Sequence, residues 1–382
     1  MLAPFYEDTH EMFRETVAGF LDREVVPNDE KWERDGIVDR DMYRKAAQAG
    51  LLGMAIPEEY GGGGVEDFRY NAIINEEATK RGLAGSTMGI GLHNDICTPY
   101  FLKETNDEQK QRWLPGIADG SLLTAVAMTE PGTGSDLASI RTTAVRDGDH
   151  YVINGSKTFI SSGILCDLVI VAAKTNPEER HRGMSLIVVE ADTPGFERGR
   201  NLDKIGLHAQ DTAELFFTDM RVPAANLLGD EGMGFFQLMS KLPQERLGIS
   251  VGAVFGAEQV FQWTLDYVKE RTAFGRPIGT FQNSRFVLAE CRTEIDMARA
   301  YVERQILQLN DGTLSAEDAA KSKWWCSEMQ LRVTTRCLQL FGGYGYMEEY
   351  PIARAFRDSR IQTIYGGTTE IMKEIIGRSL GI

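Results

Sequence analysis

The chain has 382 residues, 42% of them apolar and 25% charged, which leaves room for two or three packed units and excludes disordered or collagen-like architectures. Lys and Arg number 41 against 56 Asp and Glu, a formal charge of −15, and that sign repels phosphate backbones, so nucleic acid is not an expected partner. Apolar runs such as Leu168 to Ala173 fall far short of the ~20 residues a membrane span needs, and Met1 to His10 shows no basic-then-apolar leader, so cytoplasm is the expected compartment.

From Asp8 to about Gly120 apolar residues recur every three or four positions, as in Met12 to Val26 and Met42 to Leu52, which predicts helices. Pro57 to Gly64, PEEYGGGG, interrupts them, and Asp107 is expected to cap a helix reaching Ile117. Near Leu122 short runs rich in Val, Ile, Phe and Thr begin: Leu122 to Thr129, His150 to Ile153, Leu168 to Ala173, Ser185 to Glu190 and Ala213 to Thr218. Turns are expected at Asp147-Gly148, Asn154-Gly155 and Thr193-Pro194-Gly195. No helix-length segment separates these strands, so the predicted sheet is antiparallel, of sandwich or barrel type. Beyond Gly232 long helical periods run from Phe235 to Arg271, Phe281 to Leu309 and Ser315 to Leu340. The expected fold is therefore mainly α with a small β domain: an N-terminal helical domain over 1–121, a middle antiparallel β domain over 122–232 and a C-terminal helical bundle over 233–382. The five cysteines (97, 166, 291, 326, 337) form no C-x-x-C pair and are expected to be reduced and buried.

Several chemistries lack their residues. The five histidines (10, 93, 150, 181, 208) are far apart, so no metal site is expected. Gly155-Ser-Lys-Thr158 lacks the earlier glycine of a phosphate loop, and after Gly132-Thr-Gly-Ser135 a Leu stands at 137 where the dinucleotide fingerprint needs Gly. Ala127 to Asp136 nevertheless leaves a strand for a loop whose glycines allow backbone N–H groups close to a phosphate or a flat ring. A Gly-rich turn capped by Asp136 is the competing reading of that segment.

The loop is followed, in order, by Phe159-Ile-Ser161, Arg271-Thr-Ala-Phe-Gly275, Gln339-Leu-Phe-Gly-Gly343 and Tyr365-Gly-Gly-Thr-Thr-Glu370. With these motifs the chain resembles the acyl-CoA dehydrogenase family over essentially its whole length. Leu242-Pro-Gln-Glu-Arg-Leu247, together with Gly366 to Met372, is most similar to its long-chain branch. The resemblance implies a C-terminal four-helix bundle and FAD lying between that bundle and the β domain. Val126, Ala127, Met128, Thr129, Ser135, Phe159, Ile160 and Ser161 would face its ring and pyrophosphate, with Thr368 and Glu370 also on the cofactor. Arg271, Phe274, Gln282, Gln339, Gly342 and Gly343 match positions that hold the adenosine and diphosphate, some from a neighbouring subunit, which implies a homotetramer. Ser135, Pro243, Gln244, Arg246, Tyr365, Gly366 and Gly367 would surround an acyl-CoA substrate. The resemblance further implies an oxidoreductase of fatty acid β-oxidation whose electrons pass to an electron-transfer flavoprotein.

One departure from the family pattern is informative. Many members carry the catalytic glutamate directly after the motif tyrosine, where this chain has Gly366. Glu245 matches the position that the long-chain and isovaleryl branches use instead. Gly248, Gly252 and Gly256 then recur along one helix face, a thin stripe that lets a ligand approach; mere helix packing, with Glu245 a surface partner of an arginine, is the alternative. A glutamate desolvated beside an acyl channel has its pKa raised toward working pH. The implied reaction moves the α proton to Glu245 and a β hydride to flavin N5, with the Gly366 N–H on the thioester carbonyl, giving a trans-2-enoyl-CoA from a medium, long or branched chain. Oxidation of carrier-protein thioesters, or a non-catalytic flavin-binding scaffold, are the readings that compete with it.

Overall fold

In the computed structural model, which describes residues 5–381, the first part of the chain is helical: α1 (Asp8–Phe20), α2 (Asp29–Asp35), α3 (Asp41–Gln48), α4 (Phe68–Lys80), α5 (Ala84–Gly91), α6 (Thr98–Lys103) and α7 (Asp107–Ala118). The apolar stripes of α1 to α5 close on one core that holds Val17, Phe20, Trp32, Met42, Tyr43 and Ile73, whereas α6 and α7 pack Tyr100, Phe101, Trp113 and Leu114 with Ile170 and Leu186. The helix expected over Met12 to Val26 is divided, because Leu21–Val25 widens into a π-type turn; a second such turn, Leu92–Cys97, follows α5. Asn106 caps α7 in place of Asp107: its side chain accepts from the Gln109 N–H at 2.9 Å, and the Gln109 side chain accepts from the Asn106 N–H at 3.0 Å.

The middle of the chain is a curled seven-stranded sheet of β1 (Thr124–Ala127), β2 (Thr143–Asp147), β3 (His150–Ser161), β4 (Leu168–Lys174), β5 (Met184–Glu190), β6 (Phe196–Asn201) and β7 (Thr212–Pro223). The order runs β1-β4-β2-β3-β7-β6, with β5 on the other side of β4. Every residue of β4 is buried, as its unbroken apolar run requires. Most pairs are antiparallel as expected, but β4 runs parallel to β1 over Thr124 to Ala127 and to β2 at Thr143. The β2–β3 hairpin lies between β1 and β4 in the chain and returns it in the same direction, the task a crossover helix performs elsewhere.

One local expectation is corrected, and one strand was not anticipated. Asn154-Gly155 is not a turn but a bulge inside β3, where the register against β7 shifts between Ile153 and Gly155. Asn154 Oδ1 accepts from the Asp219 N–H at 2.8 Å across the bulge, and a Cβ on Gly155 would overlap Thr142. β6 lacks an apolar run because it is a polar edge strand, FERGRN, with its side chains largely in solvent.

The last part is α8 (Gly234–Glu270), a small hairpin of β8 (Thr272–Ala273) and β9 (Arg276–Pro277), then α9 (Gln282–Asn310), α10 (Ala316–Phe341), α11 (Pro351–Ser359) and α12 (Thr369–Ser379). The three long helices begin and end within a residue or so of the periodic segments. Leu247, Val251, Val254, Ile295, Met329 and Val333 join them in a second core, and α8 also packs on α4. All five cysteines are buried and free. Arg354 of α11 reaches Asp29 of α2 at 2.6 Å, tying the two helical parts together.

Candidate active site

A cavity of about 1240 Å³ opens where the two helical parts meet the sheet. One wall is the exit of β1 and the strand end of β3: Val126, Met128, Thr129, Gly134, Ser135, Phe159, Ile160 and Ser161 line it. Phe159 has φ +59° and is 69% exposed, so its ring stands out at the mouth rather than in the sheet. The loop between these segments is pinned from below. Lys157, fully buried, meets Glu130 at 2.9 Å and donates to the Met128 carbonyl at 3.0 Å, while Glu130 accepts from the backbone N–H groups of Arg141 and Thr142. Burial pulls the Lys157 ammonium down to about 8, and Glu130 opposes that shift.

The opposite wall is α8, which presents Leu242, Glu245, Arg246, Gly248, Ile249 and Gly252 to the cavity. Glu245 is only 6% exposed, and Tyr100 of α6 donates its hydroxyl to Glu245 Oε1 at 3.2 Å. Burial pushes this carboxyl up to about 7, with the Tyr100 hydrogen bond and the Arg246 charge acting in the other direction. A carboxyl of that pKa accepts a proton near neutrality.

Between the walls lies the turn Tyr365-Gly366-Gly367-Thr368. Gly366 has φ +63° and Gly367 φ +101°, and a Cβ on Gly366 would collide with Ile249 Cδ1. A side chain at 366 would thus have to adopt a left-handed backbone and displace the end of Ile249, while the Glu245 carboxyl on α8 faces the same cavity. Arg246 Nε donates to the Gly366 carbonyl at 3.3 Å and Lys323 Nζ to the Gly367 carbonyl at 2.5 Å, so two buried cations hold this turn by its oxygens. Burial, with Arg246 adding to it, lowers Lys323 to about 8. The Gly366 N–H meets no acceptor among the described residues. Thr368 caps α12 by accepting from the Ile371 N–H at 3.4 Å.

The remaining site residues expected from the sequence are placed elsewhere. Ala127 is buried inside the sheet, Pro243 sits within α8 away from the cavity wall, and Gln244 donates to the Asp95 carbonyl at 2.8 Å. Glu370 is exposed on α12, outside the cavity. Arg271, Gln339, Gly342 and Gly343 line a separate recess with Tyr267 and Tyr344, where the Arg271 guanidinium lies 5.5 Å from the Tyr344 ring centroid. Phe274 is 95% exposed at the tip of the β8–β9 hairpin, and Gln282 is exposed at the start of α9. Sequence reasoning missed Tyr100, Asp95, Glu130, Lys157 and Lys323. Lys157 falls in the segment set aside as a false phosphate loop, Glu130 lies inside the Ala127 to Asp136 loop without being singled out, and the others carry no local motif.

The chain matches the acyl-CoA dehydrogenase N-terminal domain over residues 7–121, the middle domain over 125–220 and the C-terminal domain over 232–381. It is 48% identical over 379 residues to the mitochondrial long-chain specific acyl-CoA dehydrogenase of Sus scrofa, covering 98% of this chain and 87% of that protein. The crystal structure of an acyl-CoA dehydrogenase from Geobacillus kaustophilus is similar with a TM-score of 0.97 at 52% identity, covering 100% of both chains. A glutaryl-CoA dehydrogenase from Mycobacterium smegmatis, solved in complex with FADH2, is similar with a TM-score of 0.90 at 27% identity, covering 98% of this chain and 95% of that one.

Proposed function

Because the chain belongs to the acyl-CoA dehydrogenase family, and is thus an oxidoreductase acting on acyl-CoA, we propose that Glu245 is the base that takes the α proton of a medium, long or branched acyl-CoA. The observation that carries this reading is the position of Glu245: a desolvated carboxyl on the wall of the cavity that Gly366, with no carboxyl of its own, also lines. The recess formed by Thr129, Ser135, Phe159 and Ser161 has the flat wall, the hydroxyls and the open backbone that FAD needs. When bound there, FAD supplies the acceptor for the hydride leaving the β carbon.

The chain's own residues divide the remaining work. Tyr100 orients Glu245 and favours its ionised form, so the base is ready before substrate arrives. The free Gly366 N–H receives the thioester oxygen, and each such donor contributes ~3 to 4 kcal/mol in comparable sites. Arg246 and Lys323 keep that N–H aimed by holding the carbonyls on its far side. Ile249 and Leu242 exclude water around the α carbon. An electron-transfer flavoprotein is the proposed acceptor of the electrons that the oxidation would release. Arg271, Phe274, Gln282, Gln339 and Gly343 serve the diphosphate and adenosine of a neighbouring copy's FAD in a homotetramer; their separation from the Glu245 cavity supports this.

The test is Glu245→Gln. The variant should bind FAD and acyl-CoA yet leave the oxidised flavin spectrum unbleached on anaerobic addition of acyl-CoA. Bleaching at a substantial rate would refute the assignment.

A further inference from the structure

Two glycines in succession give a backbone few restraints of its own, since neither carries a Cβ to narrow its conformations. The turn from Tyr365 to Thr368 is tied at its ends. The Tyr365 N–H donates to the Ile361 carbonyl at 3.2 Å and its hydroxyl to Gln362 Oε1 at 2.9 Å, while the Thr368 carbonyl accepts from the Met372 N–H at 3.0 Å. Between those ends, Arg246 Nε and Lys323 Nζ are the only donors to the Gly366 and Gly367 carbonyls among the described residues. The conformation that leaves the Gly366 N–H free for a ligand therefore depends on two cations.

The two anchors are unlike. Arg246 is a guanidinium and keeps its charge throughout the working range of pH. Lys323 is fully buried, and burial, followed by the Arg246 charge on α8, lowers its ammonium to about 8. Glu328 of its own helix and Glu370 of α12 act in the other direction, and no charged group of α9 or α11 adds to them among the described residues. Glu328 accepts the Thr369 hydroxyl at 2.8 Å, and the one acceptor of Lys323 is the Gly367 carbonyl at 2.5 Å. A hydrogen bond from an ammonium is roughly twice as strong as one between neutral groups, so this anchor weakens as the proton leaves.

We propose that Lys323 is a positioning residue that closes the working range of the oxidation on its alkaline side: its ammonium holds the Gly366-Gly367 turn, and once the proton is gone the Gly366 N–H swings off the thioester oxygen. The inference rests on the reading that this N–H receives the thioester while Glu245 takes the α proton. Lys323 touches no reacting atom and acts through the turn. Two other groups titrate nearby, since burial pulls Lys157 down to about 8 and pushes Asp95 up to about 7. Lys157 bonds to the Met128 carbonyl and Asp95 to Asn71, and neither bonds to the turn, so a readout on the thioester carbonyl separates them from Lys323.

The experiment binds dodecanoyl-CoA, labelled with 13C at the thioester carbonyl, to the FAD-loaded Glu245→Gln protein and follows the carbonyl stretch by difference infrared spectroscopy from pH 6 to pH 9.5. The stretch should stay low, as that of a hydrogen-bonded carbonyl does, up to neutrality and then rise with a midpoint at about pH 8. Lys323→Arg on that background should keep it low to the end of the range. Lys323→Met, close in volume and uncharged, should leave it high throughout and keeps the test decisive if the guanidinium does not fit. With Glu245 intact, flavin reduction should slow about tenfold from pH 8 to pH 9.5, and in Lys323→Arg it should show no such fall. A stretch that ignores pH while Lys323 is present, that shifts alike in all three proteins, or that stays low in Lys323→Met overturns the proposal. Flavin reduction persisting in Glu245→Gln while the carbonyl still follows Lys323 removes the base assignment alone, whereas an inert Glu245→Gln whose carbonyl ignores Lys323 removes the positioning role alone.

Discussion

Tyr100→Phe tests the site's electrostatics with the loss of one oxygen atom. The Tyr100 hydroxyl donates to Glu245 Oε1 at 3.2 Å, and that bond stabilises the carboxylate against its protonated form. A hydrogen bond to a charged group contributes about 1.5–3 kcal/mol, and the length of this one favours the lower end. At 1.36 kcal/mol per unit, the Glu245 pKa should climb from about 7 by roughly one further unit. The rate of flavin reduction under anaerobic stopped flow, followed against pH, should therefore show its rising limb displaced upward by about one unit. At pH 6 the variant should be roughly tenfold slower than the native protein, and near pH 9.5 the two should converge. A limb that does not move, or a drop of equal size at every pH, would refute the claim that Tyr100 acts through the ionisation of Glu245.

The same carboxyl affects stability. Its folded pKa of about 7 lies above the ordinary 4.5, so between those values the native state holds a proton the unfolded chain has lost, and stability falls as pH rises through the window. Glu245→Gln lacks that loss and should be more stable than the native protein by about 3 kcal/mol at pH 8 and no more stable at pH 4, as read from urea midpoints. Gly366→Ala forces a side chain into a left-handed backbone and against Ile249, so it should cost about 2 kcal/mol or more, and adding Ile249→Ala should return the part due to collision. Glu130→Ala leaves the Lys157 charge buried without its partner and should cost about 3–5 kcal/mol and weaken FAD retention on gel filtration; Glu130→Leu with Lys157→Met should recover most of the stability.

The three long helices of the C-terminal part were legible because their apolar residues repeat over 26 residues or more, long enough to average out single exceptions; α11 and α12, at 9 and 11 residues, were not. Glu245 and Gly366 were paired in the sequence through the family resemblance, and both line the same cavity. What escaped is what depends on contacts distant in sequence. The parallel seam between β1 and β4 is decided by where a hairpin returns, not by either strand's composition. Asn154-Gly155 has the residues of a turn, and only β7 continuing past it makes it a bulge. Tyr100, Asp95 and Lys323 are polar residues in otherwise ordinary helical segments, and each acquires its role from a helix or turn brought to it by folding.

Arg246 and Lys323 grip the Gly366-Gly367 turn from α8 and α10, whereas Asp95 and Asn75 belong to the helical layer on the opposite side. In the proposed reaction, the grip on the thioester and the shape of the space for its tail are thus carried by different parts of the molecule. Substitutions on α4 and around α5 can retune which tails are accepted without loosening that grip, while a shift of α10 against α8 would disturb oxidation of every tail alike. A lineage built on this scaffold can diversify its diet while its chemistry stays put.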